Sequence, residues 1–403
     1  MKTTLTSINM NPGPIESNTR QRLLNLVAGT FFVILASFLL FQYAYTEGVT
    51  RSLVAKATKV TGGQHAEVSG AELATAFAKD PLNQNLVNAG LALQSGALSE
   101  DERAKWITVI GKMGWRSTAA SQTLINEAMK TQDLRKITAI ADALLRRQKL
   151  FEQTVNLMNL LEAEPSTWEG VYNRLNANAP WRVDYLQYAG VIKQPAVIEG
   201  RIRTLRALQK GGNRLTRQEL APSIAMLVSA DKLKDAEQIW RANGRMPPTD
   251  LHDGDFSTAV SVGSDTNFSF PFEWQFYSGT GFSAYPSEDG LNGATVAIQW
   301  DGRGLPLFMS QLTSATPGNY RFSFKVDGDA QKFASKIGVR FRCGSEIIRM
   351  RNSVKPNSQI VMAETITPIT CEFPWVDIFG QIQERSAAVE LAFNRVMLAR
   401  IDN

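Results

Sequence analysis

The hydrophobic rhythm of the chain changes twice along its 403 residues. The first stretch is unbroken: Leu23–Ala44, "LLNLVAGTFFVILASFLLFQYA", runs 22 residues without a charged side chain. At about 1.5 Å per helical residue it matches a hydrocarbon core of about 30 Å. From Ser69 to Asn243 apolar residues recur at helical spacing between turn signals such as "KDPLNQN", "AEPST", "ANAPW" and "KGGNRLTRQE". "DLRKITAIADALLRRQK" predicts an amphipathic helix with Ile137, Ile140, Ala141, Leu144 and Leu145 inward, and "FEQTVNLMNLLEAEP" predicts the next. From Phe256 onward the period shortens. "TVAIQWDG", "LPLFMSQLT", "GNYRFSFKVDG", "KIGVRFRCG", "SEIIRMRN", "QIVMAETI" and "AAVELAFNRVMLARI" predict about eight strands, enough for a two-sheet sandwich or jelly roll.

These patterns divide the chain into a polar, Pro/Gly-containing tail (1–19), a transmembrane helix (20–46), a linker (47–68), an all-α repeat domain (69–246) and a β-sandwich domain (253–403). A cleaved signal peptide is the alternative for the apolar run. The run exceeds the roughly 7–15 residues of a signal-peptide core, and no Ala-x-Ala site follows it directly. Tyr43 and Tyr45 sit where interfacial aromatics belong, and Lys2, Arg20 and Arg22 precede the run while Glu47 and Arg51 follow it. The positive-inside rule then predicts a cytoplasmic N-terminus and an external bulk. In a Gram-negative bacterium that places the protein in the inner membrane with its body in the periplasm.

An exported body gives its two cysteines a meaning. Cys343 and Cys371 fall in one β-rich domain and are expected to be bridged, with two buried free thiols as the alternative. A formal charge of +5 is modest for this length and calls for no nucleic-acid partner. Two cysteines and two histidines are too few for most multi-ligand zinc sites. No Gly-x-Ser-x-Gly elbow, Walker A loop or His-Glu-x-x-His motif occurs, so no enzyme and no cofactor is expected. A glycosidase using two of Glu273, Glu288 and Asp301 would leave no signature and is the remaining catalytic alternative.

Charge concentrates in Lys193–Arg217, which holds seven basic residues and one acid. Arg203, Arg206 and Lys210 lie three and four apart and share one face of a predicted helix. They are candidates for an anionic contact, such as a phospholipid headgroup, an acidic polysaccharide or an acidic partner. A solvated helix face is the plainer reading.

Two resemblances sharpen the picture. "AKDPLNQNLVNAGLALQSGALSEDERA" and "IAMLVSADKLKDAEQIWRANG" resemble degenerate tetratricopeptide-type repeats, which implies an α-solenoid that binds proteins or peptides. "DGDFS", "FEWQF", "PLFMSQLTSATPGNYRFSFKVDGD" and "VELAFNRVMLARID" are similar to jelly-roll carbohydrate-binding modules of the galactose-binding-like class. In that comparison "DGDF" opens the sandwich with its first strand, "FPFEWQF" supplies the second, and Phe256, Trp274, Tyr320 and Phe322 match framework positions. The sugar-binding candidates are Trp300, with Asp301 and Arg303 in the turn after it, and Tyr277, Phe282 and Tyr285 in the predicted loop "YSGTGFSAYPSEDG". An aromatic platform for a sugar ring beside planar polar groups for its hydroxyls is what such recognition needs. Asp253 and Asp255 lie where some relatives hold a structural calcium, and two carboxylates do not establish one. The domain order and the "GDF…PFEWQF" entry resemble membrane-anchored accessory proteins of bacterial exopolysaccharide and capsule assembly. The resemblance implies envelope partner proteins and a glycan, and the alternative is a scaffold whose sandwich binds no sugar.

Overall fold

The computed structural model describes residues 100–113, 118–212, 214–244, 249–262, 268–289, 293–327, 329–355, 358–381 and 389–401, with residue 246 and isolated positions between 36 and 99. The tail, His65, Pro247 and Pro248 lie outside the described residues, as does most of Leu23–Ala44. Within that apolar run Ala36, Ser37, Leu40 and Ala44 are described, and all four are helical. Among the described residues no helix is long and apolar enough to cross a membrane.

The chain forms two units, Met1–Leu144 and Leu145–Asn403. The first contains α1 (Glu100–Met113), α2 (Thr118–Lys130) and most of α3 (Leu134–Arg146). The predicted face of α3 is the buried one: Ile137, Ile140, Ala141, Leu144 and Leu145 are all at most 2% exposed. Its i, i+3, i+4 spacing explains this.

The second unit opens with short helices: α4 (Phe151–Ala163), α5 (Pro165–Asn176), α6 (Arg182–Gln187), α7 (Pro195–Lys210), α8 (Arg217–Ser229) and α9 (Leu233–Gly244). Their starts are written locally. Proline holds the first turn of α5 and α7, where its missing N–H costs nothing. Thr216 and Glu219 form a reciprocal capping box on α8. Helix α4 packs on α5 and α7, α7 reaches α9, and α8 packs on α6 and α9. At the α4–α7 crossing a Cβ on Gly200 would come within 2.8 Å of the Glu162 carbonyl oxygen, so only glycine lets these backbones approach.

A buried charge cluster pins the same crossing. The Arg201 guanidinium sits 3.0 Å from the Glu162 carboxylate with both side chains 0% exposed. Tyr185 donates to Glu162 (2.8 Å), and Arg201 donates to Asn159 (3.1 Å). Burial, reinforced by the charge of Glu162, pushes the Tyr185 phenol well above its ordinary pKa.

In the C-terminal portion every strand pair among the described residues is antiparallel. Its strands are β1 (Gln275–Phe276), β2 (Ser278–Gly279), β3 (Phe282–Asp289), β4 (Gly293–Trp300), β5 (Leu307–Leu312) and β6 (Tyr320–Asp327), followed by β7 (Ile337–Cys343), β8 (Glu346–Val354), β9 (Ile360–Thr365), β10 (Trp375–Gly380) and β11 (Val389–Arg400). They run in the order β1-β5-β10-β7-β8-β9-β6-β11-β4-β3-β2. Strand β8 belongs to both layers: its first half pairs with β7 and its second half with β9. At the other end Tyr277 joins the layers, because its N–H donates to Phe308 (2.9 Å) and its carbonyl accepts from Ala284 (3.0 Å). The result is a barrel-like sandwich around one apolar core that includes Phe256, Trp274, Trp300, Tyr320, Phe322 and Phe393. The alternating buried and open positions of β6 show the period of two that predicted it.

Three expectations are corrected. "DGDF" opens no strand: Phe256 sits in a turn at φ 58°, and Ser257–Val262 is helix α10. "FPFEWQF" supplies only the two-residue β1. "YSGTGFSAYPSEDG" is a hairpin of β2 and β3, not a loop. A further helix, α11 (Ala330–Lys336), was not expected; Asp329 caps it and Phe333 anchors it in the core. The expected bridge is present, with Cys343 and Cys371 joined across a Cα–Cα distance of 5.8 Å.

Candidate functional site

Strands β3, β4 and β11 bring together side chains distant in sequence. Ser283 stands opposite Gln299, and Gln299 opposite Glu390, so the three form one row across the outside of the sheet. Two residues further along β3, Tyr285 stands opposite Ala297, and Ala297 opposite Ala392. Those alanines leave the tyrosine ring uncrowded, and Tyr285 is 41% exposed. The rows lie about 6.8 Å apart along the strands.

The polar row opens into a groove of about 540 Å³ lined by Gly281, Phe282, Ser283, Gln299, Trp300, Asp301 and Glu390. The turn after β4 shapes one wall. Asp301 donates its N–H to the Gly281 carbonyl (2.8 Å), and its carboxylate accepts from the Arg303 N–H (3.0 Å). Gly281 has φ 83°, and a Cβ there would collide with the Asp301 carboxylate. Both the backbone conformation and the close approach therefore require glycine. The groove offers two carboxylates, one amide, one hydroxyl and an aromatic edge, with an open tyrosine beside it. That set suits a ligand rich in hydroxyl groups.

The predicted residues divide. Asp301 and Phe282 line the groove, and Tyr285 flanks it from a strand. Phe282 is half-buried, its ring edge-on to Phe308 at 6.0 Å. Trp300 is not an exposed platform: it is 2% exposed, lies 5.6 Å from Phe308, and donates its indole N–H to the Arg303 carbonyl (2.8 Å). A β-strand alternates faces, and Trp300 follows the outward Gln299, so its ring faces the core. Tyr277 is a seam residue whose hydroxyl is bonded to Ser310 (2.9 Å) and Gln275 (3.1 Å). Arg303 is exposed beyond the rim, its guanidinium 4.0 Å from Asp301. Ser283, Gln299 and Glu390 were missed. Their signal was the polar phase of the strand alternation, which gives no register between strands.

The basic face of α7 is largely spoken for. Arg203 donates to the carbonyls of Glu162 (2.8 Å) and Ala163 (3.3 Å) at the end of α4 and lies over Trp168. Arg206 pairs with Asp235 (2.6 Å) and donates to Gln238. Lys210 is exposed and makes no ion pair among the described residues. Asp253 and Asp255 are likewise occupied. Asp253 accepts from the Thr258 and Ala259 N–H groups at the start of α10. Asp255 accepts from the Ser257 hydroxyl, which lowers its pKa. Glu273 is ion-paired with Arg217 at 2.7 Å.

Comparison of the chain with protein-family models and with curated proteins finds no match.

Proposed function

We propose that the protein is a non-enzymatic envelope protein, anchored by Leu23–Ala44 in a bacterial inner membrane with its bulk in the periplasm. In this reading it supports assembly or export of a polysaccharide: the helical stack, a tetratricopeptide-like solenoid, grips partner proteins, and the galactose-binding-like sandwich contacts glycan. The observation that carries the reading is the Ser283–Gln299–Glu390 row beside the exposed Tyr285 ring. Polar hydrogen-bonding groups next to an open aromatic face are the means by which proteins hold sugars. The Cys343–Cys371 bridge supports an oxidising compartment.

A second reading is a pure protein scaffold in which the sandwich caps the helices. It is favoured by Trp240 of α9, which stacks on Phe272 at 5.1 Å, and by the Arg217–Glu273 pair. The test is retention of the full-length protein on polysaccharide from its own organism. Tyr285→Ala and Gln299→Ala are expected to weaken retention about tenfold each, the scale of one lost stacking or hydrogen-bond contact, with the melting temperature unchanged. If the wild-type protein is not retained, the scaffold reading replaces the first.

A further inference from the structure

The opposite layer carries a different chemistry on its outer face. Strands β10 and β7 set Asp377 opposite Arg340 and Trp375 opposite Arg342. Strand β5 adds Ser310 beside Asp377, and β8 adds Arg349 beside Arg340. Val376 and Ile378 point into the core, so Asp377 between them points outward. It is nonetheless 0% exposed, because two arginines cover it. Arg340 Nε lies 3.0 Å from its carboxylate, and Arg342 holds both carboxylate oxygens through Nε and Nη2, each at 3.3 Å. Both Nη groups of Arg340 and Nη1 of Arg342 therefore have no hydrogen-bond partner among the described residues.

Each guanidinium also lies over a ring of β10, Arg340 over Phe379 (4.8 Å) and Arg342 over Trp375 (5.3 Å). The two arginine side chains remain 28% and 36% exposed. Arg349 is exposed and makes no ion pair among the described residues. The face thus sets three arginines against one carboxylate. Two of the three are already immobilised, so engaging them costs a ligand less side-chain ordering than engaging free side chains would.

We propose that this face binds a carboxylate-bearing polysaccharide, a polyuronate lying across β10, β7 and β8. A guanidinium fork matches a carboxylate with two hydrogen bonds, and the ring edges of Trp375 and Phe379 give apolar surface to pyranose faces. Arg340 and Arg342 stand about 6.8 Å apart along β7, with Arg349 on the neighbouring strand. Charges repeated at short intervals suit a polymer with an acid on successive sugars better than a single anion. The groove on the other layer carries Asp301 and Glu390, which repel such a chain, so the two faces sort glycans by charge. This inference rests on the glycan reading above and names its ligand class.

The test uses the full-length protein with Tyr285→Ala, which removes the groove's platform. Retention is compared on polygalacturonate and on the same polymer with its carboxylates reduced to alcohols. Retention on polygalacturonate alone is expected, lost at high ionic strength. Arg349→Gln disrupts no described ion pair and is expected to weaken it about tenfold, the loss of one charged contact. Arg342→Lys, which keeps the charge and removes the fork, is expected to weaken it as well. Equal retention on both polymers, or wild-type binding by both variants, overturns the proposal. So does binding to phosphatidylglycerol vesicles without binding to polygalacturonate, which would assign the face to lipid phosphate. If the wild-type protein holds the neutral polymer and not the acidic one, this inference alone fails; if it holds neither, nor its own organism's polysaccharide, the glycan reading fails with it.

Discussion

Arg217 and Glu273 meet in a two-point ion pair, Nη1 to Oε2 at 2.7 Å and Nη2 to Oε1 at 2.8 Å. The pair ties the first turn of α8 to the segment that enters β1. Arg217 also donates to the Phe268 carbonyl (3.0 Å) and lies over Phe270 (4.8 Å). Beside it Trp240 stacks on Phe272, and Arg241 donates to Ser314 (3.0 Å). The last helices and the sandwich therefore share an interface that is part apolar and part charge-paired.

Replacing Arg217 with Met is expected to cost about 1.5–3 kcal/mol, the range for charge-assisted hydrogen bonds. Because the pair joins two layers of structure, the expected calorimetric signature is a split of one transition into two. Glu273→Gln is expected to produce the same split, and the double variant less than the sum. Additive losses with a single transition would show that the pair does not couple helices to sandwich.

Arg201 and Glu162 make a different kind of pair, wholly buried at the Gly200 crossing. Removing one partner strands a charge in the interior, so Arg201→Met is expected to cost about 3–5 kcal/mol in denaturant unfolding. Adding Glu162→Leu is expected to recover most of it, since an apolar pair of similar volume loses no charge solvation. Failure to recover would mean that Tyr185 and Asn159, the other partners, need the ions in place.

His252 lies at the same helix–sandwich interface as Trp240, whose ring it meets edge-on at 4.9 Å. Burial lowers its pKa from the usual 6.5, and its Nε2 has no hydrogen-bond partner among the described residues. The unfolded chain then binds the proton more readily than the fold. Stability is expected to be fully present above about pH 6.5 and to fall as the pH drops from there toward the folded-state pKa. Unfolding midpoints across that window check this, and His252→Gln is expected to flatten the dependence.

The Cys343–Cys371 bridge closes a segment of 28 residues. Replacing both cysteines with serine is expected to cost about 3–4 kcal/mol on the loop-closure model. Cys371 adjoins Glu372, which pairs with Lys234 of α9 at 2.9 Å. Loss of the bridge is therefore expected to raise hydrogen exchange in the 366–374 segment before the core strands respond. Mass analysis is expected to find no free thiol before reduction.

Local pattern alone determined much of this protein. The apolar face of α3, the strand alternation of β6 and the change of period near Phe256 could be read directly, because side-chain direction repeats every 3.6 or 2 residues. The framework role of Phe256, Trp274, Tyr320 and Phe322 was legible too, and all four are buried. What pattern could not supply was register. Trp300 looked like a sugar platform because a glycine-rich turn follows it, but its place one residue after Gln299 turns its ring inward. Arg203 and Arg206 looked like a basic face until α4 and α9 were brought against them. The Ser283–Gln299–Glu390 row joins three strands and the clasp of Arg340 and Arg342 on Asp377 joins two, and no single strand contains either. Period is a property of neighbours in sequence and survives in the sequence alone. Pairing depends on which strands the core brings side by side, and only the tertiary structure decided that.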